Sequence, residues 1–295
     1  MRILFTSDLH GNRTLYEDLL RHSEKHRPDA VILGGDLFPR YGHHDESLRI
    51  QEKFAVEIFR ALAGRICDTL GGPLYAIPGN DDWAEVLPLL QTFGSGLIRF
   101  LHQGPVQGPK GFRFFGYPWV PPTPFPPKDF EKRDRTGDIP KPTNRNPVIS
   151  RNGHIEPINE LDTLSLRPSI EEDLLTILEE PNPNKHIVVT HSPPHNTCLD
   201  RLRNGHPVGS RSIRKFLETR CPLLSLHGHI HESAAVTGKY WDFLGDTLCI
   251  NPGQTGPRLS AVLFDTDDPF GTLFHTLAGA PVLETVRNPA SGGRP

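Results

Sequence analysis

Met1-Arg2-Ile3-Leu4-Phe5-Thr6-Ser7-Asp8-Leu9-His10-Gly11-Asn12 opens the chain and sets the reading of its fold. Ile3-Leu4-Phe5 is a short apolar run of the kind buried in a strand, and it stops on polar residues. After Gly11-Asn12, Leu15, Leu19 and Leu20 recur at helical spacing with charges between them. Ala30-Val31-Ile32-Leu33 is a second buried run, halted by Gly34-Gly35. Phe54, Ile58 and Leu62 repeat every four residues, flanked by Ala55, Phe59 and Ile66, and predict an amphipathic helix. Leu74-Tyr75-Ala76-Ile77, closed by Pro78-Gly79, predicts a third strand. Strand and helix in this alternation predict an α/β fold with parallel strands and right-handed crossovers.

Further along, the pattern breaks. Phe112, Phe114 and Tyr117 fit a strand around 113–116, but Pro118-Trp119-Val120-Pro121-Pro122-Thr123-Pro124-Phe125-Pro126-Pro127 follows. Thirteen of the 30 Pro lie between Gly104 and Pro168. A stretch this long without periodicity reads as an insertion at about 103–168, and the aromatics Trp119, Phe125 and Phe130 favour part of Pro118 to Pro168 as an ordered segment over or beside a functional edge, where it shapes the pocket, with a structural flap or dimer contact as the alternative. Regular signal returns at Ser169-Ile170-Glu171-Glu172, a capping box opening a helix to about Leu178. Strands are expected at 186–190, 223–226, 247–250 and 260–264, and a short helix at 210–219. The chain carries no internal repeat and reads as one domain over 1–287, with Asn288 to Pro295 a frayed tail.

The composition sets limits on function. With 32 Lys and Arg against 35 Asp and Glu, the net charge is −3, which argues against a general nucleic-acid coat. No apolar stretch approaches the ~18 residues of a membrane span, and the first residues lack a secretory pattern, so a cytoplasmic protein is expected. Cys67, Cys198, Cys221 and Cys249 form no C-x-x-C pair and read as reduced thiols.

The informative residues stand where strands end. The first strand runs into Asp8-Leu9-His10, the second into Gly35-Asp36, the third into Gly79-Asn80-Asp81-Asp82. The strand at Ile187 runs into His191, and the one at Leu224 into Gly228-His229-Ile230-His231. Each motif alone is commonly a turn, a cap or a hydrogen-bonded histidine. Ligand sites of α/β sheets form outside the carboxyl ends of strands, so all five would meet at one edge. Carboxylate, imidazole and amide donors without thiolate suit Mn, Fe, Zn, Co or Ni and not a Cys-type structural zinc site. Two divalent ions sharing a bridging carboxylate can clamp a phosphoryl oxygen and generate a hydroxide nucleophile.

The set resembles the calcineurin-like metallophosphoesterases, whose signature runs D-x-H, G-D, G-N-H-[D/E], a lone H, then G-H-x-H. The resemblance extends from residue 1 to about 255, and Ile250-Asn251-Pro252-Gly253-Gln254 looks like a late element of bacterial members. It implies a four-layer α/β/β/α sandwich of two mixed sheets with a dinuclear site at the strand C-terminal ends. It also implies that Asp8, His10 and His231 hold one ion, Asn80, His191 and His229 the other, and that Asp36 bridges them. One position departs: the family's histidine in G-N-H-[D/E], which helps protonate the leaving group, is here Asp81. An ordinary Asp offers no such proton near pH 7. Asp81 and His195, four residues past His191 on a Pro-stiffened turn, are therefore the candidate catalytic residues, with His227 and Asp82 as supporting groups.

The resulting expectation is a phosphoesterase that acts on a small phosphorylated substrate, more readily a diester, by attack of metal-bound hydroxide. The alternatives are a catalytically weak scaffold on the same fold and a nuclease. A scaffold would tend to lose ligands, all seven of which are kept here, and a nuclease is disfavoured by the charge.

Overall fold

Alternation along each strand builds the layers, because successive side chains point to opposite faces. A computed structural model describes residues 1–43, 45–94, 96–177 and 181–281. Its first half holds β1 (Arg2–Thr6), α1 (Arg13–His26), β2 (Ala30–Leu33), α2 (Asp45–Phe54), α3 (Arg60–Leu70), β3 (Leu74–Ala76), α4 (Leu87–Gln91) and β4 (Ile98–Phe100). The next stretch holds β5 (Val106–Gln107), β6 (Arg113–Tyr117), β7 (Val148–Arg151), β8 (His154–Pro157), α5 (Glu160–Leu166) and α6 (Ile170–Leu175). Then come β9 (His186–Thr190), α7 (Arg211–Arg220), β10 (Leu224–Leu226), α8 (Ser233–Thr237), β11 (Trp241–Leu244), β12 (Thr247–Ile250), β13 (Ala261–Asp265) and β14 (Phe274–His275).

One six-stranded sheet has the order β14-β13-β1-β2-β3-β4 and the other β11-β12-β10-β9-β6-β5. In the first, β1 to β4 run parallel while β13 lies antiparallel to β1. In the second, β6, β9, β10 and β12 run parallel, with β5 and β11 as antiparallel edges. Ile3, Phe5, Ile32 and Tyr75 of one sheet pack against Phe114, Ile187, Val189 and Leu226 of the other. On the outer face of the first sheet, Leu4, Val31 and Leu33 meet Leu15 and Leu19 of α1 and Leu62 and Ile66 of α3. Beyond the second sheet, Phe115 and Val188 meet Ile170 and Leu174 of α6 and Ile213 and Leu217 of α7. Helices, sheet, sheet, helices is the expected four-layer sandwich, and both sheets are mixed.

Several expectations need adjustment. The helix expected around Phe54 to Ile66 is longer, running from Asp45 to Leu70 as α2 and α3 with a π-helical turn, Ala55–Phe59, between them. The capping box at Ser169 and Glu172 is present, but α6 ends at Leu175, and Leu178 lies outside the described residues. The boundary at 287 and the tail Asn288 to Pro295 also lie outside them. The strand expected around 113–116 is β6, an internal strand, and the Pro-rich stretch after it has more structure than its sequence announces: β7 and β8 form a separate hairpin. Pro leaves it free of helical periodicity, and backbone bonds across the stretch replace it: Val120 N–H donates to Phe130 O and Lys128 N–H to Val148 O, both at 2.9 Å.

Candidate metal centre

The strand-end loops run side by side because their backbones bond to each other. Asp8 N–H donates to Gly35 O, His10 N–H to Asp36 O, and Gly228 N–H to His191 O. Asp8, His10, Asp36 and His229 all adopt positive φ, between 43° and 66°. Non-glycine residues rarely take that conformation, and it persists where surrounding structure holds a functional side chain in place. Two glycines are required by close approach. A Cβ on Gly79 would lie 2.2 Å from Asp36 Oδ1 and 2.7 Å from His191 Nε2, and one on Gly228 would lie 2.5 Å from Asp8 Oδ2.

The seven expected side chains fall into two overlapping groups. Asp8, His10, Asp36 and His231 bring four donor atoms within 4.8 Å of one another. Within that group His10 Nε2 is 3.2 Å from His231 Nε2 and 3.6 Å from Asp36 Oδ2, and His231 Nε2 is 3.2 Å from Asp8 Oδ1. The other group centres on His191, whose Nε2 is 3.1 Å from Asn80 Oδ1 and 3.4 Å from Asp36 Oδ2, and whose ring lies 5.2 Å from that of His229. Asp36 belongs to both. His191 Nδ1 bonds Gly34 O at 2.8 Å, which turns Nε2 toward the group, and the His229 backbone N–H donates to both Asp8 oxygens.

Charge makes the case that this donor set suits cations. Asp8, Asp36 and Asp82 are all buried. Burial alone would raise Asp8, yet the His231 charge and hydrogen bond outweigh it and hold Asp8 at about 2. Burial would lower His191, but Asp36 and Asp8 drive it up to about 10; His231 is raised for the same reason by Asp8. Burial pushes His10 down to about 4 and, joined by the His191 charge, His229 down to about 3. The carboxylates thus recruit protons onto imidazoles that a divalent cation would use as donors. His10 Nδ1 is buried without a hydrogen-bond partner.

Asp81 borders the cluster. Its Oδ2 lies 3.8 Å from His10 Nδ1 and 3.7 Å from Arg40 Nη1, and its N–H donates to Asp36 Oδ1. Burial, then the Asp36 charge, push its carboxyl up to about 7. Asp82 accepts from the backbone N–H groups of Leu37, Phe38 and Gly79, so it ties the second and third strand-end loops together. His195 is joined to none of the seven by a hydrogen bond or ion pair; its Nδ1 lies 3.6 Å from Asp200 Oδ2, in a loop that Asp200 holds through Asn196, Thr197 and Gly209. His227 Nδ1 lies 2.8 Å from Thr190 Oγ1, under the cluster. Arg214 is occupied by the carbonyls of His195 and Asn196. Two contributors escaped the sequence reading. Arg40 stands four residues past Asp36, a basic residue on a ligand-bearing loop, which was the available signal. Asn251, whose segment 250–254 was singled out only as a late family element and without a role, donates to the carbonyls of Leu199, Gly228 and Ile230, bracing the loop that carries His229 and His231.

A two-sheet sandwich presenting clustered Asp and His at its strand ends is the architecture of a metal-binding hydrolase. The description of the calcineurin-like phosphoesterases matches residues 1–233, and the chain belongs to that family. Among solved structures, TT1561 of Thermus thermophilus is similar over 94% of this chain and 98% of its own, at 15% identity and a TM-score of 0.54. An archaeal phosphodiesterase is similar over 91% of this chain and 96% of its own, at 14% identity and a TM-score of 0.42. At 15% identity the likeness to TT1561 is one of fold. No curated protein matches the chain. No helix among the described residues is long and apolar enough to cross a membrane.

Proposed function

We propose that the protein is a metal-dependent phosphoesterase that hydrolyses a small phosphodiester with two divalent ions. The observation that carries this reading is the convergence of Asp8, His10, Asp36 and His231 in one buried cluster that shares Asp36 with His191. Asp8, His10 and His231 would hold one ion, Asn80, His191 and His229 the other, and Asp36 both. When bound, such ions polarise the phosphoryl oxygens and activate water.

The chain's own residues do the rest. His191 is oriented by Gly34 O and Asp8 by the His229 N–H, so these donors are aimed before any ligand arrives. Arg40, more than half exposed at the rim, offers a guanidinium to a phosphoryl oxygen. Asp81 faces the same space but stands where the family's acid would be. Bound cations nearby would favour its ionised form, which would leave the departing oxygen without a proton donor. A diester with a good leaving group tolerates that loss best. The complete donor set disfavours the scaffold reading, and the net charge of −3 disfavours the nuclease.

The test is turnover of esters with rising leaving-group pKa, under Mn, Fe, Zn, Co and Ni in turn. Wild type should show a steep dependence, and Asp81→His should raise rates on poor leaving groups by up to about 10²-fold, the low end of general-acid effects, while barely changing activated esters. A flat ratio across leaving groups would show that Asp81 does not occupy the acid's place. If His195→Ala selectively removes activity on poor leaving groups, His195 supplies that proton.

A further inference from the structure

We infer that the Pro-rich insertion builds, beside the metal centre, a subsite for a planar aromatic group of the substrate, a nucleoside in chemical class, with Phe125 as the stacking platform. The inference rests on the phosphoesterase reading and extends it to the part of the substrate that is not the phosphate.

The first observation is a cleft of 480 Å³ with Asp81 on its wall. Sites for small organic ligands run from about 300 to 1,000 Å³, so the space exceeds what a bare phosphoryl group needs. Arg40 and His43 line it together with Phe125, Pro126, Pro127, Asn146 and Val148 of the insertion. The cleft therefore joins charged groups, among them the Asp81 that borders the metal cluster, to apolar groups that include an aromatic ring.

The second observation is how Phe125 is held. It is 47% exposed, so one face of the ring is open to the cleft that it lines. Its support is elaborate. Phe125 N–H donates to Thr123 Oγ1, and Thr123 N–H donates to the Glu131 carboxylate. Buried Lys128 donates to Thr123 O at 2.6 Å and to Glu131 Oε2 at 2.9 Å, and lies 3.4 Å from Glu160 Oε1. Glu160 in turn accepts from the backbone N–H groups of Thr143 and Asn144, and the Asn144 amide donates to Pro124 O. Val148 N–H donates to Pro126 O. Pro124, Pro126 and Pro127 fix the backbone on both sides of the ring. A buried Lys with two Glu costs desolvation and is weak evidence of stability for its own sake. Here the network fixes the loop that presents one exposed ring to the cleft. A ring held rigid before binding loses little entropy on stacking.

Among phosphoesters, the common planar aromatic group is the nucleobase, and the Asn146 amide and His43 imidazole add hydrogen-bonding groups at the cleft that an alkyl chain would leave unused. Stacking of a base on an aromatic side chain carries about 1–3 kcal/mol by alanine substitution, roughly five- to a hundredfold in affinity.

The experiment uses the full chain loaded with Mn²⁺ and a matched pair of non-hydrolysable probes, α,β-methylene-ADP and methylenediphosphonate, titrated calorimetrically. The nucleoside-bearing probe should bind about tenfold or more tightly than the bare anion. Phe125→Ala should collapse that ratio toward one, and Phe125→Trp should restore it. A wild-type ratio near one, or a ratio unmoved by Phe125→Ala, overturns the subsite while the phosphoesterase reading stands. If neither anion binds, that reading is in trouble, and adenosine decides the subsite separately: binding lost in Phe125→Ala supports it, and no binding overturns it.

Discussion

The strand-end edge and the Pro-rich insertion both bury ionisable side chains, but the partners differ in kind. In the insertion, Lys128 sits between Glu131 and Glu160 with Thr123 and Thr143 closing the remaining bonds, so the cation is part of the chain. At the strand-end edge, Asp8 and Asp36 face imidazoles, and His191 is driven up to about 10 to serve. The backbone differs too. Positive φ at Asp8, His10, Asp36 and His229 marks the edge. The insertion is instead stiffened by Pro. A buried charge whose partner is built in describes architecture, whereas one that must borrow protons describes a place for a ligand.

The comparison breaks most visibly at Asp36, which belongs to both groups of donors. Asp36→Ala should lower turnover about 10³-fold or more, since each ion is worth several kcal/mol of transition-state stabilisation, and should reduce bound metal per chain by mass spectrometry. Unchanged metal content and rate would contradict the shared-ligand role. In the insertion the cost should appear as stability. Lys128→Met leaves two buried carboxylates uncompensated and should destabilise by about 3–5 kcal/mol in denaturant titration. Adding Glu131→Gln and Glu160→Gln should recover much of it, and a triple variant as unstable as the single one would show that the pair is not what Lys128 holds. The smallest effect sharpens the contrast. Saturating divalent metal, at 100 times its dissociation constant, should stabilise wild type by about 2.7 kcal/mol for each ion bound, and chelation should reverse this. Lys128→Met should keep that increment and Asp36→Ala should lose much of it.

The regions also differ in how far the sequence discloses them. The metal edge was legible because polar ligand types follow immediately on apolar runs such as Ile3-Leu4-Phe5 and Ala30-Val31-Ile32-Leu33, so strand ends and chemistry are read together. The same runs predict parallel α/β structure, whereas the four layers were implied only by the resemblance to the calcineurin-like family. The short strands β4 and β11 were not legible: Ile98-Arg99-Phe100 and Trp241-Asp242-Phe243-Leu244 are too brief for periodicity to separate them from loops. Beyond its strand around 113–116 and the order its aromatics suggested, the insertion was legible only as an interruption. Its order comes from bonds between residues far apart in sequence, such as Lys128 with Glu160, which no local pattern encodes. The place of His195 beside Asp200 follows from the fold of its loop for the same reason.

The π-helical turn at Ala55–Phe59 has a consequence for how this site tolerates change. On its N-terminal side, α2 carries Gln51, whose amide donates to Pro39 O and Asp81 O and whose carbonyl accepts from Trp83 N–H. On its C-terminal side, α3 carries Leu62 and Ile66 into the apolar layer. An ordinary helix turns about 100° per residue, so one residue more or fewer between these two faces swings them apart by that angle. The wide turn takes up the phase difference, which is the signature of a single-residue insertion absorbed without breaking the helix. Deleting Val56 would regularise the helix and force a choice: Leu62 and Ile66 keep their seats and Gln51 lets go of Asp81, or the reverse. Spacing along one helix thus gears the alignment of the cleft to the packing of the core, and length changes there would be felt at the site before any ligand residue is touched.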